Sequence, residues 1–251
     1  MIFTIILNRP NVHNALNEEM ILELNTILEE LKKEDFKILI IRGEGKSFCS
    51  GADLNYMKKM KHYTLEENKN DALQLAELMY NIYTFPKPTI SIGHGSIMGG
   101  GIGLIACTDF SLCEKESKFA FSEVLLGLIP AVISPYIIRK MGFSKTKELF
   151  LTGRIFNSEE AEKWGLITKS LDKMEMDNYL HHLIKQLLKS SPNAIKEIKH
   201  LMEINLKYDL ENLKHITSEI IAKLRITEEA QEGISAFFEK RKPQWYNYED
   251  K

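Results

Sequence analysis

Short apolar runs alternate with amphipathic stretches through the first two-thirds of the chain, and this alternation restricts the fold more than any other feature. Apolar runs of this length predict β-strands, and apolar residues at helical spacing predict α-helices. The predicted strands cover residues 2–7, 38–41, 89–92 and 104–112, and the predicted helices cover 18–31 and 65–83. Strand–helix alternation is typical of an α/β protein built on a parallel sheet.

The pattern changes after residue 158, where strands almost vanish. Helical spacing recurs over residues 159–164, 176–188, 193–206, 210–224 and 229–239. We therefore predict a boundary near residue 190, between an α/β core at 1–190 and a helical region at 191–251. Apolar residues of the helical region could pack on that region's own core or on another subunit.

Charge and cysteine content argue against several functional classes. The 251 residues carry a net charge of −2, so we expect no nucleic-acid partner. No apolar run approaches the roughly 20 residues of a membrane span, and the chain begins at once with a strand-like run. Cys49, Cys107 and Cys113 lack metal-site spacing, and so do the histidines. We expect a cytoplasmic protein without a metal or a membrane contact.

Two glycine-bearing loops lie fifty residues apart, each after a strand-like run. They read FCSGADL at residues 48–54 and MGGGIG at residues 98–103, and a helical stretch follows the second. Free amides at such a helix start face a ligand with the positive end of the helix dipole behind them. One such loop alone is more typical of a tight strand-to-helix turn. The pair predicts an oxyanion hole, which stabilises negative charge on a carbonyl oxygen.

Two further segments complete a family resemblance: SEVLLGLIP at residues 122–130 and FFEKRKP at residues 237–243. With the two loops, in this order, the chain resembles the enoyl-CoA hydratase/isomerase (crotonase) family over essentially its whole length. The resemblance implies a crotonase-like ββα spiral core with a C-terminal helical trimerisation region. It also implies an acyl-CoA substrate, a homotrimer or a hexamer that is a dimer of trimers, and no cofactor beyond the coenzyme A of the substrate.

The resemblance assigns roles to individual residues. The amides of Ala52 and Gly100 would donate to the thioester oxygen, and Glu123 would be the acid/base. Seen without its context, Glu123 is more typical of a surface residue at a helix start capped by Ser122. The positions implied to bind substrate or coenzyme A are Ser50, Gly51, Asp53, Leu54, Gly99, Phe237 and Lys240, with Arg9 and Val12 nearby. Asp53 is more typical of a residue that holds a loop through backbone amides than of one that performs chemistry.

One position departs from the family pattern: Gly103 stands where typical hydratases carry a second glutamate. The segments GADLNYMKKM at 51–60 and LGLIPAVISPY at 126–136 resemble bacterial methylglutaconyl-CoA hydratases of leucine breakdown. This resemblance implies hydration of 3-methylglutaconyl-CoA to hydroxymethylglutaryl-CoA by one glutamate. A double-bond isomerase, a glutaconyl-type decarboxylase and a non-catalytic acyl-CoA or RNA binder remain open. Candidates to contact a substrate carboxylate or water are Lys58, Lys59, Lys61, Ser134, Tyr136, Arg139 and Lys140.

Overall fold

The computed structural model describes residues 2–246, which form two compact units. One unit contains residues 2–85 and 89–179, and the other contains 86–88 and 180–246. The division falls inside the helix Lys173–Leu187 rather than at residue 190, so it does not coincide with a change of secondary structure. The boundary near residue 190 stays a prediction.

The strands and helices of the described residues have the following bounds. The strands are β1 Ile2–Leu7, β2 Ile38–Gly43, β3 Thr89–Gly93, β4 Ser96–Met98, β5 Phe110–Glu114, β6 Lys118–Ala120, β7 Phe156–Asn157 and β8 Lys169–Leu171. The α-helices are α1 Glu18–Leu31, α2 Leu54–Met60, α3 Leu65–Tyr83, α4 Gly100–Cys107, α5 Ser134–Met141, α6 Phe143–Thr152, α7 Ser158–Lys163, α8 Lys173–Leu187, α9 Pro192–Asn205, α10 Leu210–Arg225 and α11 Glu228–Phe238. Short 3-10 helices cover Pro10–Val12 and Ser122–Leu126.

A parallel sheet forms the centre of the first unit, which confirms the predicted α/β class. Its strand order is β1-β2-β3-β5-β8, and every pairing is parallel. Leu39, Ile90 and Leu112 on adjacent strands are fully buried, as expected of a sheet covered on both faces. A second sheet pairs β4 in parallel with β6, and β6 antiparallel with β7. This small sheet brings residue 98 opposite residue 120.

The predicted helices at 18–31 and 65–83 have the bounds of α1 and α3, because each has a clear start signal. Asn17 caps α1 by accepting from the Met20 amide, and Thr64 with Glu67 forms a capping box on α3. The predicted strand at 104–112 is wrong in its first half, which belongs to α4. Helix α4 is buried on nearly all sides, so its apolar residues show no helical periodicity.

The second unit is helical in its described residues, and α10 packs against both α9 and α11. Apolar side chains remain exposed on α9, among them Ile198 at 57% and Met202 at 56%. None of the helices within residues 2–246 is long and apolar enough to cross a membrane.

Candidate active site

The first loop presents the amide of Ala52 on its exposed side. Leu16 donates its N–H to the Gly51 carbonyl at 2.7 Å, and Asp53 donates its N–H to the Leu16 carbonyl at 2.9 Å. In a parallel bridge of this kind the neighbours of Ala52 make both hydrogen bonds, so its own N–H points away from Leu16. Ala52 is exposed. Its amide is therefore available to a ligand.

The second loop turns at Gly99 and starts α4 at Gly100. Gly99 has φ +46° and ψ −115°, a conformation that a side chain would disfavour. Its N–H donates to the Ala120 carbonyl at 3.1 Å, which joins the loop to β6. Gly100 is the first helical residue, so its amide has no partner within the helix. The structure shows no acceptor for the Ala52 or Gly100 amide among residues 2–246.

The two loops contact each other directly. Met98 donates its N–H to the Cys49 carbonyl at 3.0 Å, and Cys49 donates to the Ser96 carbonyl at 3.4 Å. Leu16 lies against the second loop as well, because a Cβ placed on Gly100 would be 2.9 Å from its Cδ1. The loops predicted from sequence to act together are thus brought together by the fold.

Glu123 lies beside the second loop. It follows β6 in the 3-10 helix Ser122–Leu126, and a Cβ placed on Gly99 would be 2.8 Å from its Oε1. Its Oε2 is buried and has no hydrogen-bond partner within the described chain. Burial raises the pKa of this carboxyl, because a charged carboxylate loses hydration there. Ser122 makes no capping hydrogen bond, so the reading of Glu123 as a capped surface residue lacks its supporting contact.

Gly103 has no room for a side chain. A Cβ there would be 2.3 Å from Cγ2 of Ile133 and 3.1 Å from Cε of Met79. The space that a side chain at position 103 would need is therefore occupied by the apolar side chain of Ile133. Sequence reasoning identified Gly103 and missed Ile133, thirty residues away. The one available signal was the apolar segment after Pro130.

Asp53 uses both carboxylate oxygens within the fold. Oδ1 accepts from the Asn55 amide at 2.8 Å and the Tyr56 amide at 3.3 Å, which caps α2. Oδ2 forms an ion pair with Arg9 at 2.9 Å. Asp53 is buried, so these contacts hold the first loop between the N-terminal segment and α2. A direct contact of Asp53 with coenzyme A stays a prediction.

The remaining predicted binding residues lie at or near the surface. Ser50 is partly buried and Leu54 is 74% exposed at the start of α2, whereas Gly51 is buried with φ +94°. Phe237, 79% exposed, and Lys240 belong to the second unit. A contact of these positions with coenzyme A stays a prediction.

Several candidate partners for a substrate carboxylate or water already have local contacts. Lys59 forms an ion pair with Glu18 at 2.9 Å, and Lys140 donates to the Thr108 carbonyl at 3.1 Å. Burial lowers the pKa of Lys140. The Arg139 guanidinium donates to the Pro135 carbonyl and lies 6.0 Å from the centre of the Tyr83 ring.

Two of the other candidates also have local contacts, and two are exposed. The Ser134 hydroxyl donates to the Ala131 carbonyl at 2.8 Å, and the Tyr136 ring lies 5.1 Å from that of Tyr83. Lys58 and Lys61 are exposed. Five of the seven candidates thus already contact neighbouring residues of the fold.

The cysteines and acidic residues show no metal-binding arrangement in the described part of the chain. Across residues 2–246, no group of three or more His, Cys, Asp or Glu side chains could hold a metal ion. Cys49, Cys107 and Cys113 are free and buried. Burial raises the pKa of Cys49 to about 12, so its thiol stays neutral and serves as a core side chain.

Two free amides on adjoining loops, with a carboxylate that has one buried and unpaired oxygen beside the second loop, can hold an acyl oxygen as it gains negative charge while a proton moves at a neighbouring carbon. Such a site is suited to an enzyme that acts through the enolate of a thioester. The enoyl-CoA hydratase/isomerase family model matches residues 1–248, and this chain is an enzyme of that family. The family and the fold expected from the sequence are thereby confirmed.

Named relatives include both hydratases and an isomerase. A solved enoyl-CoA hydratase from Shewanella pealeana is 41% identical with a TM-score of 0.93, covering 97% of this chain and 92% of that chain. The mouse protein named enoyl-CoA hydratase domain-containing protein 2, mitochondrial, is 30% identical, covering 96% of this chain and 83% of its own. The peroxisomal Delta(3,5)-Delta(2,4)-dienoyl-CoA isomerase of Arabidopsis thaliana is 29% identical, covering 97% and 92%.

Proposed function

We propose that this protein adds water across the double bond of an α,β-unsaturated acyl-CoA, with Glu123 as its single acid/base. One observation carries the proposal: the buried Oε2 of Glu123 has no partner among the described residues, and Oε1 lies beside Gly99, next to the free Gly100 amide. A polar atom left unpaired in an apolar setting is costly. An enzyme tolerates that cost where the atom meets substrate.

In the proposed reaction, the Ala52 and Gly100 amides donate to the thioester oxygen. Water attacks C3 as Glu123 accepts one of its protons, and the electrons of the C2–C3 double bond move onto the thioester oxygen to give an enolate. The protonated Glu123 then returns a proton to C2, and the thioester carbonyl re-forms. A raised pKa favours this exchange near neutral pH, because the carboxyl can both accept and donate. The steps use no metal and no redox cofactor.

The substrate that the sequence resemblance favours is 3-methylglutaconyl-CoA, which would give hydroxymethylglutaryl-CoA in leucine catabolism. A substrate of this kind carries its own carboxylate. That carboxylate could help to position the water in a site where Gly103 leaves no second glutamate. Crotonyl-CoA, which lacks the carboxylate, should then be hydrated far more slowly.

The remaining roles in this proposal follow the family pattern. Coenzyme A would contact the first loop at Ser50, Gly51, Asp53 and Leu54, the second loop at Gly99, and the C-terminal region at Phe237 and Lys240. The working form would be a homotrimer or a dimer of trimers, and the exposed apolar residues of α9 support such association. We also place the activity in the cytoplasm, which the free, buried cysteines support.

Double-bond isomerisation is the second candidate, and the packing over Gly103 favours it. Ile133 puts an apolar group where a water-holding carboxylate would otherwise stand. A single carboxylate is sufficient to remove a proton from one carbon and return it to another. The Arabidopsis relative is named as an isomerase.

Incubation with 3-methylglutaconyl-CoA and crotonyl-CoA in ¹⁸O-labelled water distinguishes these reactions by product mass. We expect label in hydroxymethylglutaryl-CoA and little change in crotonyl-CoA. Equal labelling of both products would contradict assistance by the substrate carboxylate. Absence of label from both, with movement of the double bond in a 3-enoyl-CoA, would replace the hydratase by the isomerase. The Glu123→Gln variant is the control, since both reactions require its carboxylate and it should lose about 10²–10⁴-fold in rate.

A further inference from the structure

One side chain fills the space over the middle of the second loop's helix. Ile133 lies immediately before α5 and is 3% exposed. Its Cγ2 would be 2.3 Å, and its Cβ 3.1 Å, from a Cβ placed on Gly103. Met79 of α3 is fully buried and closes the same space from another side, with its Cε at 3.1 Å. Position 103 thus contributes no side chain to its surroundings, and Ile133 takes its place.

Ile133 and Glu123 cover neighbouring turns of the same helix start. The Gly103 amide donates to the Gly99 carbonyl at 3.2 Å, so the two glycines are one helical turn apart, about 5.4 Å along the axis. The Glu123 carboxylate lies against Gly99, and Ile133 lies against Gly103. Glu123 and Ile133 thus lie against positions 99 and 103, four residues apart at the start of α4.

The position of Ile133 is held by its surroundings. Its carbonyl accepts from the amides of Tyr136 at 3.1 Å and Ile137 at 3.2 Å, which fixes it to the first turn of α5. A β-branched side chain has few rotamers, and close packing leaves it little freedom to move aside. This wall of the site is rigid rather than adaptable.

We propose that Ile133 is a specificity-determining residue, which limits the size of the acyl group beside Glu123 and excludes a polar side chain from position 103. The inference rests on the proposed enolate chemistry at Glu123, but not on whether hydration or isomerisation follows. A rigid apolar wall admits acyl groups that fit it and rejects longer ones. One methylene group in such a pocket changes kcat/KM by about 10–200-fold.

The test compares Ile133→Ala with the wild type on 3-methylglutaconyl-CoA and a straight-chain 2-octenoyl-CoA. We expect the ratio of kcat/KM for the longer chain over the branched one to rise by about tenfold or more. Ile41→Ala is the matched control, because Ile41 is also 3% exposed but lies on β2, outside the loops and helices of the site. It should lower stability without changing the ratio. An unchanged ratio in Ile133→Ala, or an equal change in both variants, would overturn the proposal.

Further variants keep the proposal testable if Ile133→Ala folds poorly. Gly103→Ala should lower the melting temperature and kcat/KM, because its Cβ meets Ile133. Combining it with Ile133→Ala should restore part of both losses, since contacting residues show non-additive effects. Ile133→Val, which removes one methyl group, should shift the substrate ratio in the same direction by less. Additive effects in the pair would contradict direct competition for this space.

Deuterium exchange separates failure of this inference from failure of the proposed function. Saturated acyl-CoAs of two chain lengths in deuterated water report proton removal at C2 without hydration. If the wild type fails to incorporate ¹⁸O but exchanges deuterium, the hydratase proposal fails and the ratio of exchange rates still tests Ile133. If Ile133→Ala leaves that ratio unchanged, the role of Ile133 is refuted whichever reaction the enzyme performs.

Discussion

Glu123 has one buried, unpaired carboxylate oxygen and lies beside the second loop. Burial of its ionised carboxylate lowers the stability of the folded protein. Burial raises the pKa of its carboxyl, so the folded protein holds the proton to a higher pH than the unfolded chain does. The stability associated with the neutral carboxyl is complete below the unfolded value of about 4.3, and it is lost as pH rises through the raised pKa.

Glu123→Gln should therefore change stability in a pH-dependent way. We expect wild type and variant to have nearly equal melting temperatures below about pH 4, where the carboxyl is neutral in both states. The variant should become the more stable as pH rises, because the amide carries no charge to bury. Calorimetry from about pH 3 to about pH 8 measures the difference. A difference that is independent of pH would contradict burial of the ionised carboxylate.

Gly99 is the residue of the second loop whose replacement should act on Glu123 directly. An alanine there would be strained at φ +46°, and its Cβ would be 2.8 Å from Oε1 of Glu123. We expect Gly99→Ala to lower kcat by at least about tenfold, because the added Cβ would displace the Glu123 carboxylate. A displacement of about 1 Å at a catalytic group can cost about a hundredfold in rate. Gly142→Ala is the control, since Gly142 has φ +74° with no atom within 4 Å of an added Cβ.

The control should lose about 1–3 kcal/mol of stability through backbone strain and retain activity. Steady-state kinetics with urea denaturation measures both quantities. Equal losses of activity in the two variants would mean that strain, and not contact with Glu123, explains the effect at Gly99.

At the scale of elements, Asp53 fixes the first loop by capping α2 and pairing with Arg9. Asp53→Ala should cost about 1–2 kcal/mol for the cap alone, and more because Arg9 loses its partner. It should also lower kcat, since the Ala52 amide adjoins the loosened residue. Asp209→Ala is the matched control: it removes the cap of α10 in the other unit.

Urea denaturation measures the loss of stability in both variants, and steady-state kinetics measures the loss of turnover. Together they show whether Asp53 only caps α2 or also holds the first loop. The control should lose stability and keep its activity. If Asp53→Ala lost stability only, the first loop would be held without Asp53.

The elements that could be predicted from the sequence are those with local signals. Helices α1 and α3 have N-terminal caps and clear periodicity, and their bounds were predicted correctly. Helix α4 has neither, because it starts at a glycine and is buried on most sides. Strand β8 has only three residues and is defined by its pairing with β5, which no local pattern reveals.

The candidate site also has parts with local sequence signals and parts without them. Both glycine loops and Glu123 carry recognisable motifs, and the fold brings the second loop and Glu123 together through the β4–β6 pairing. The packing of Ile133 over Gly103 joins positions thirty residues apart and has no motif. A glycine in a sequence shows that a side chain is absent, but only the structure shows which neighbour fills the space.

At the scale of the whole molecule, the proposed trimer makes a prediction for α9. Ile198, Met202 and Leu206 follow one another at intervals of four residues, and each is more than half exposed, at 57%, 56% and 60%. Such a stripe on one helix face marks an association surface. We expect the double variant Ile198→Glu, Met202→Glu to reduce a trimer or hexamer to smaller species in light scattering after gel filtration.

His200→Glu is the control, because His200 is exposed and lies on another face of the same helix. It should leave the assembly unchanged. If the wild type is a monomer, or if the double variant keeps the wild-type mass, association through this face is refuted.

Leu16 contacts both halves of the proposed oxyanion hole: its backbone bonds to residues 51 and 53, and its side chain lies against Gly100. A single residue thus serves as a spacer that sets the separation of the two donors before any thioester arrives. A stable mimic of the enolate should then bind without first ordering either loop, so little of its affinity is spent on organising the protein.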